Sequence, residues 1–245
     1  MLLDFDGALA PIVADPDAAR ALPEAFDTLS RLVGRIGLVA VVSGRPLSFL
    51  TAVLPDDPGL VLVGQHGLER AAGGRRQVDP RVGPWRAGVA AAAREAEAGL
   101  PGLVVERKGE IAVNLHWRTA PERAAEAEAL GRRLAERHGL AAVPMRMGLE
   151  LRPPVPVDKG TVVEELAGGR HAALFAGDDQ GDLVAFAALD GLVAGGRLEH
   201  AVRVAVRSEE APAALLEAAD HQVDGPPGLA ALLARIADAA PGPPA

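Results

Sequence analysis

Residues Leu2-Leu3-Asp4-Phe5-Asp6-Gly7 place two carboxylates one residue apart, after an apolar run and directly before a glycine. Extended backbone turns alternate side chains to opposite faces, so Asp4 and Asp6 are expected on one side and Phe5 on the other. Carboxylates that close repel unless a cation stands between them or one holds a proton. A Mg2+ site in which one carboxylate is a nucleophile and the other an acid/base meets both conditions. A buried strand ending in an ordinary Asp-Gly turn accounts for this segment equally well.

Polar strand ends recur along the chain. The apolar run Gly37 to Val42 leads into Ser43-Gly44-Arg45-Pro46, and Leu60 to Val63 leads into Gly64-Gln65-His66-Gly67. His171 to Ala176 leads into Gly177-Asp178-Asp179-Gln180-Gly181-Asp182. Helical patterns stand between such runs, including Pro23 to Gly34 and Asp158 to Leu166 with Asp158 as N-cap. Strands alternating with helices predict the α/β class, a doubly wound, Rossmann-like parallel sheet. Ligands of such sheets bind beyond the carboxyl ends of the strands. There, acidic groups from two strands make a hard oxygen site suited to Mg2+, while Ser43, the Gly44 backbone and a lysine suit the oxygens of a phosphate.

Between residues 83 and 155 the texture changes. Pro84 to Ala98 reads as a helix, Leu103 to Gly109 and Ile111 to Arg118 as half-exposed strands around a Gly-Glu turn, and Pro121 to His138 as a charged helix stopped by Gly139. Met145 to Arg152 reads as one further strand. This pattern predicts an α+β insert, 83–155, within a discontinuous core made of 1–82 and 156–245. In the second half of that core, Leu192 to Ala194 and Val202 to Val206 are predicted as strands, Ala211 to Ala218 and Gly228 to Ala239 as helices. The proline- and glycine-rich tail from Ala240 to Ala245 is expected to be disordered.

With 33 acidic against 25 basic residues, a net charge of −8, nucleic acid and anionic membrane are poor partners. The absence of cysteine excludes disulfides, thiolate catalysis and thiolate zinc sites. No apolar run reaches the roughly 18 residues of a membrane span, and no basic-then-apolar leader opens the chain. A soluble, cytoplasmic protein is therefore expected, and a monomer acting on a small molecule is the working expectation. Rare residues carry extra information: two lysines, Lys108 and Lys159, stand against 23 arginines, and Asn114 is the only asparagine. His138, His171, His200 and His221 have no motif around them and read as surface or helix-end residues.

In their order along the chain these motifs resemble those of the haloacid dehalogenase superfamily of phosphatases. Asp4-Phe5-Asp6-Gly7 resembles its first motif, Ser43 its second, Lys159 its third and Gly177-Asp178-Asp179 its fourth, and the insert takes the place of a C2-type cap. Asp4 to Ile12, Ser43-Gly44-Arg45, Gly64 to Glu69, Glu106-Arg107-Lys108, His116-Trp117-Arg118, Gly148 to Pro153 and Asp158-Lys159-Gly160 are similar, within that superfamily, to trehalose-6-phosphate phosphatases. The resemblance implies a Mg2+-dependent phosphomonoesterase that forms an aspartyl-phosphate on Asp4, with Asp6 as acid and then base. It implies Mg2+ held by Asp4, the Asp6 carbonyl and Asp178, with Asp179 or Asp182 in its outer shell. Ser43 and Lys159 would neutralise the phosphoryl group, with Gly44, Arg45 and His66 on the substrate side. A cap carrying Glu106, Lys108, Asn114, His116, Arg118, Glu150 and Arg152 would meet sugar hydroxyls and, on closing, exclude water.

Three departures stand out. Ala8 takes the place of the family's usual threonine, and Gly181 and Leu183 replace a threonine and a glutamate after the fourth motif. Only Met1 to Leu3 precede Asp4, which raises the expectation of a start site placed too late. Rival readings are the same chemistry on sucrose 6-phosphate or a mannosyl-phosphoglycerate, a mutase, and a silent sugar-phosphate-binding domain.

Overall fold

The computed structural model describes residues 1–13, 15–145, 147–208 and 211–241. Its first elements are β1 (Leu2–Leu3), α1 (Pro23–Leu32), β2 (Val39–Val42), α2 (Leu47–Val53), β3 (Leu60–Gly64), β4 (Glu69–Ala72) and β5 (Arg75–Val78). Next come α3 (Arg86–Gly99), β6 (Val104–Lys108), β7 (Ala112–His116), α4 (Ala124–His138), β8 (Ala141–Met145) and β9 (Gly148–Arg152). The last are α5 (Lys159–Ala167), β10 (Ala172–Gly177), α6 (Leu183–Ala194), β11 (His200–Arg207), α7 (Ala213–Ala218), β12 (His221–Asp224) and α8 (Gly225–Ala239). They fall into two compact units, Met1–Gln77 with Val157–Ala245, and Val78–Pro156.

The first unit is built on a sheet of order β12-β11-β10-β1-β2-β3-β4-β5. From β12 to β3 neighbouring strands are parallel, and β4 returns antiparallel to β3. The chain starts in the middle, winds outward through β2 and β3, then returns beside β1 with β10 and winds the other way. Strand order therefore reverses between β1 and β10, where a doubly wound sheet opens its ligand crevice. Alternation sends Leu3, Val41, Leu62 and Val204 into one apolar layer with Leu29 and Leu32 of α1 and Leu229 and Leu233 of α8. Leu2, Val42, Val63 and Phe175 enter the opposite layer with Val163 of α5 and Phe186 and Leu189 of α6. Both faces of the strands are thus buried, which is why they read as continuous apolar runs.

The second unit is an antiparallel sheet of order β6-β7-β9-β8. Val113, Leu115, Leu149 and Leu151 pack with Ala92 and Ala96 of α3 and Leu134 of α4. By the same period of two, Glu106, Lys108, Asn114, His116, Glu150 and Arg152 occupy the other face. Gly139, at φ 65, ends α4 as expected of a left-handed C-terminal glycine.

Several expectations need correction. Met145 to Arg152 is not one strand: Met145 closes β8 and β9 begins at Gly148, with Met147 turning at φ 52. Proline at 144 and alanines at 141 and 142 hid β8 from a pattern of alternating bulk. Leu192 to Ala194 is the end of α6, not a strand. That helix is apolar almost all round and buries Ala185, Phe186, Ala188, Leu189 and Leu192, so it has no amphipathic period to read. The second compact unit spans Val78–Pro156, beside the expected insert of 83–155. The tail expected to be disordered falls, from residue 242, outside the described residues. Among the described residues no helix is long and apolar enough to cross a membrane.

Candidate active site

The reversal between β1 and β10 brings together the first, third and fourth motifs. Asp4 follows β1 directly, its N–H donating to the Ala176 carbonyl of β10 at 2.8 Å, and its side chain is buried. Asp158 caps α5 in a reciprocal pair with Thr161, which sets Lys159 as the first helical residue. The buried Lys159 Nζ lies 2.9 Å from Asp4 Oδ1 and 2.6 Å from Asp182 Oδ1. Asp182 Oδ2 in turn accepts from the N–H groups of Asp178 and Asp179 at 2.9 and 3.1 Å. Asp178 shares a hydrogen bond with Asp4, while its Oδ1 is buried with no protein partner. Gly7, at φ 76, lets the chain turn here: a Cβ at that position would stand 1.9 Å from Asp178 Oδ2.

Burial pushes the Asp4 carboxyl well above its usual range, against the pull of Lys159. Burial, followed by Asp182 and Asp179, pushes Asp178 up to about 7, and burial also raises Asp182. Burial works to lower Lys159, but Asp182 and Asp4 outweigh it and hold the ammonium charged. One ammonium faces three carboxylates whose oxygens lie within 4.8 Å of one another. A hard divalent cation fits this donor set, and the buried Asp178 Oδ1, which has no protein partner, is an oxygen that such an ion would take as a ligand. Asp182 is taken up with Lys159 and two amides, and therefore orients the cluster. Asp179 is more exposed, caps the turn Gln180–Asp182 and lies 4.0 Å from Lys159.

Alternation along one strand does not carry through to Asp4 and Asp6. The strand stops at Leu3, and Asp6 forms a bridge with Ala10 across the Gly7 turn. Its carboxylate, partly exposed, is held in a fork by Arg45, with Nε to Oδ2 and Nη2 to Oδ1 both at 2.7 Å. The two aspartates thus avoid repulsion by taking separate cations, Lys159 and Arg45. The Arg45 guanidinium lies 4.6 Å from the Phe49 ring centre, and Phe49 meets Phe5 edge-on at 5.7 Å. Ser43 is buried at the end of β2, its Oγ accepting the Arg45 N–H at 3.1 Å. Gly44 backs onto His66, whose Nε2 would be 2.6 Å from a Cβ there. Gln65 and His66 both hold positive φ, 51 and 57, an unusual pair for residues other than glycine.

Two supports had no role assigned to them from the sequence. Glu69 accepts the Leu47 N–H at 2.7 Å and so fixes the start of α2 after Arg45; its carboxyl is raised by burial against that bond. Phe49 supports Arg45. Its scarcity was the available signal, since the chain has only five phenylalanines.

In the insert, register places Glu106, Asn114 and Glu150 side by side across β6, β7 and β9. Glu106 Oε2 accepts from Asn114 Nδ2 at 3.0 Å and meets His116 Nε2 at 2.8 Å. The His116 contact, ahead of Lys108 and Asn114, brings the Glu106 carboxyl down to about 2. Lys108 Nζ lies 3.2 Å from Glu150 Oε1, and Arg152 Nη1 3.6 Å from Glu150 Oε2. Asn114 is buried, and its Oδ1 has no protein partner. Arg118 is exposed beyond β7, and among the described residues no hydrogen bond joins it to this row.

The Trehalose-phosphatase family model matches residues 2–220. The trehalose-phosphate phosphatase of Mycobacterium bovis (strain BCG / Pasteur 1173P2) is 37% identical over 198 residues, 76% of this chain and 50% of the relative. That of Mycobacterium avium (strain 104) is 37% identical over 203 residues, 78% of this chain and 51% of the relative. The chain thus spans about half the length of the curated relatives it matches. Among solved structures, a trehalose-6-phosphate phosphatase related protein superposes with a TM-score of 0.75 at 24% identity, covering 97% of this chain and 96% of the other. The C-terminal domain of the C. albicans trehalose-6-phosphate phosphatase gives 0.74 at 21%, covering 98% and 92%. At these identities the structures speak for the fold alone.

Proposed function

The chain belongs to the trehalose-phosphatase family, and we propose that it hydrolyses trehalose 6-phosphate to trehalose and phosphate. The observation that carries this is the buried Asp4, held 2.9 Å from Lys159 and beside the open oxygen of Asp178. In the proposed reaction an Asp4 oxygen bonds to phosphorus as the phosphorus–sugar oxygen bond breaks, and Asp6 gives a proton to the departing oxygen. To do so, Asp6 first takes up a proton from solvent and exchanges one of its two Arg45 N–H bonds for that oxygen. Water then attacks phosphorus, passes a proton to Asp6 and frees Asp4.

Ser43, the Gly44 N–H and Lys159 steady the non-bridging oxygens, with Arg45 and His66 beside them. Asp4, Asp178 and the Asp6 carbonyl are assigned to Mg2+, with Asp179 or Asp182 behind them; the ion would draw charge from the phosphoryl oxygens. The insert's polar row mixes donors and acceptors as sugar hydroxyls require. Glu106, Lys108 and Glu150 are its assigned binding residues, with Asn114, His116, Arg118 and Arg152 around them. A soluble, cytoplasmic enzyme working on a small molecule is part of this reading, and a net charge of −8 disfavours nucleic acid and anionic membrane as partners.

The test is phosphate release from trehalose 6-phosphate, sucrose 6-phosphate, glucose 6-phosphate and mannose 6-phosphate, in Mg2+ and in EDTA. Metal-dependent release favouring trehalose 6-phosphate is expected. Preference for another sugar overturns the substrate, and no release from any by folded protein overturns the activity.

A further inference from the structure

At the opposite end of β10 three side chains converge. His171 directly precedes β10, and Glu199 and His200 stand at the start of β11. The N–H groups of Glu199 and His200 both donate to the His171 carbonyl at 3.1 Å, which pins the two loops together. His171 Nε2 lies 2.9 Å from Glu199 Oε2, the two imidazole rings are 5.4 Å apart, and one ligand atom from each of the three falls within 4.8 Å of the others. The nearest cations in sequence are directed elsewhere, Arg170 to the Leu166 and Gly37 carbonyls and Arg197 to the Glu164 carbonyl.

We propose that His171, Glu199 and His200 form a surface site for a borderline divalent transition ion such as Zn2+. Two imidazoles and a carboxylate bind Zn2+, Ni2+ or Cu2+ in preference to Mg2+, whereas the all-oxygen cluster of Asp4, Asp178 and Asp182 suits the harder ion. The length of β10 separates the sites, roughly 20 Å at about 3.3 Å per residue. All three ligands are exposed, so small side-chain rotations on a fixed backbone complete the geometry and leave positions for water or a fourth ligand. An ion held there would staple the loop before β10 to the loop before β11.

The experiment is calorimetric titration of tag-free protein with Zn2+ in saturating Mg2+, followed by Cu2+ electron paramagnetic resonance. The expected result is one Zn2+ per chain that Mg2+ does not displace, and a Cu2+ signal coupled to nitrogen. His171→Ala and His200→Ala should each weaken Zn2+ binding at least about tenfold, remove the nitrogen coupling, and leave phosphate release unchanged. Zn2+ binding that Mg2+ abolishes, that persists in the His171→Ala/His200→Ala double variant, or that is absent from the parent overturns the proposal.

Discussion

Lys159 and Asp4 are both buried and in contact, yet their removal should have opposite consequences. Lys159 is the ammonium inside a cluster of three carboxylates, and deleting it leaves buried negative charge with no partner. Such losses cost about 3–5 kcal/mol. Asp4 already resists ionisation through burial, and Asp4→Asn keeps its shape while easing repulsion from Asp182 and Asp178. In EDTA, Lys159→Met should therefore melt well below the parent, with Asp4→Asn at or above it. Both should lose activity, Asp4→Asn by at least about 10^3-fold. Thermal melts and phosphate release check this, and a destabilised Asp4→Asn beside a parent-like Lys159→Met would refute the electrostatic reading.

The elements show which parts of the site the sequence makes legible. Strands buried on both faces read as apolar runs, so the polar residues that follow them, Asp4, Ser43 and Asp178, stand out without any coordinates. The two lysines were equally informative, since each ends on buried carboxylates, Lys159 on Asp4 and Asp182 and Lys108 on Glu150. The Asp6–Arg45 fork was not legible, because it depends on the strand stopping at Leu3 and on Gly7 turning the chain. Strands β4 and β5, the last two at one end of the sheet, with sequences Glu-Arg-Ala-Ala and Arg-Arg-Gln-Val, carry no clean alternation of apolar and polar residues and were missed. The Gly7 turn gives a prediction at this scale. Gly7→Ala meets both a positive φ and the Asp178 carboxylate at 1.9 Å, whereas Gly73→Ala meets positive φ with nothing within 4 Å. Backbone strain alone costs about 1–3 kcal/mol. Gly73→Ala should thus lose some stability and keep its activity, while Gly7→Ala should lose activity through displaced Asp178. Equal activity in the two variants would contradict this.

Across the whole molecule, folding stability should depend on pH in a direction set by Asp178. Its carboxyl is held up at about 7 in the fold against an ordinary value of 3.8. Between those values the folded chain keeps a proton that the unfolded chain has released, so the group's contribution to stability falls as pH rises from about 4 to about 7. A divalent cation on Asp178 cancels that loss. The melting temperature gained from Mg2+ should be larger at pH 8 than at pH 5, and Asp178→Asn should shrink the difference. A gain independent of pH would contradict the assignment.

The doubly wound core fixes Asp4 where only one of its roles can be seen directly, that of a carboxylate bound to Lys159. Whether it takes the phosphoryl group is tested by mass spectrometry of Asp6→Asn protein, acid-quenched within a turnover on trehalose 6-phosphate. The expected result is one added phosphoryl group on the peptide holding Asp4, absent from the Asp4→Asn/Asp6→Asn double variant. An unmodified Asp4 peptide, together with phosphate release at the parent rate from Asp4→Asn alone, would contradict nucleophilic attack by Asp4.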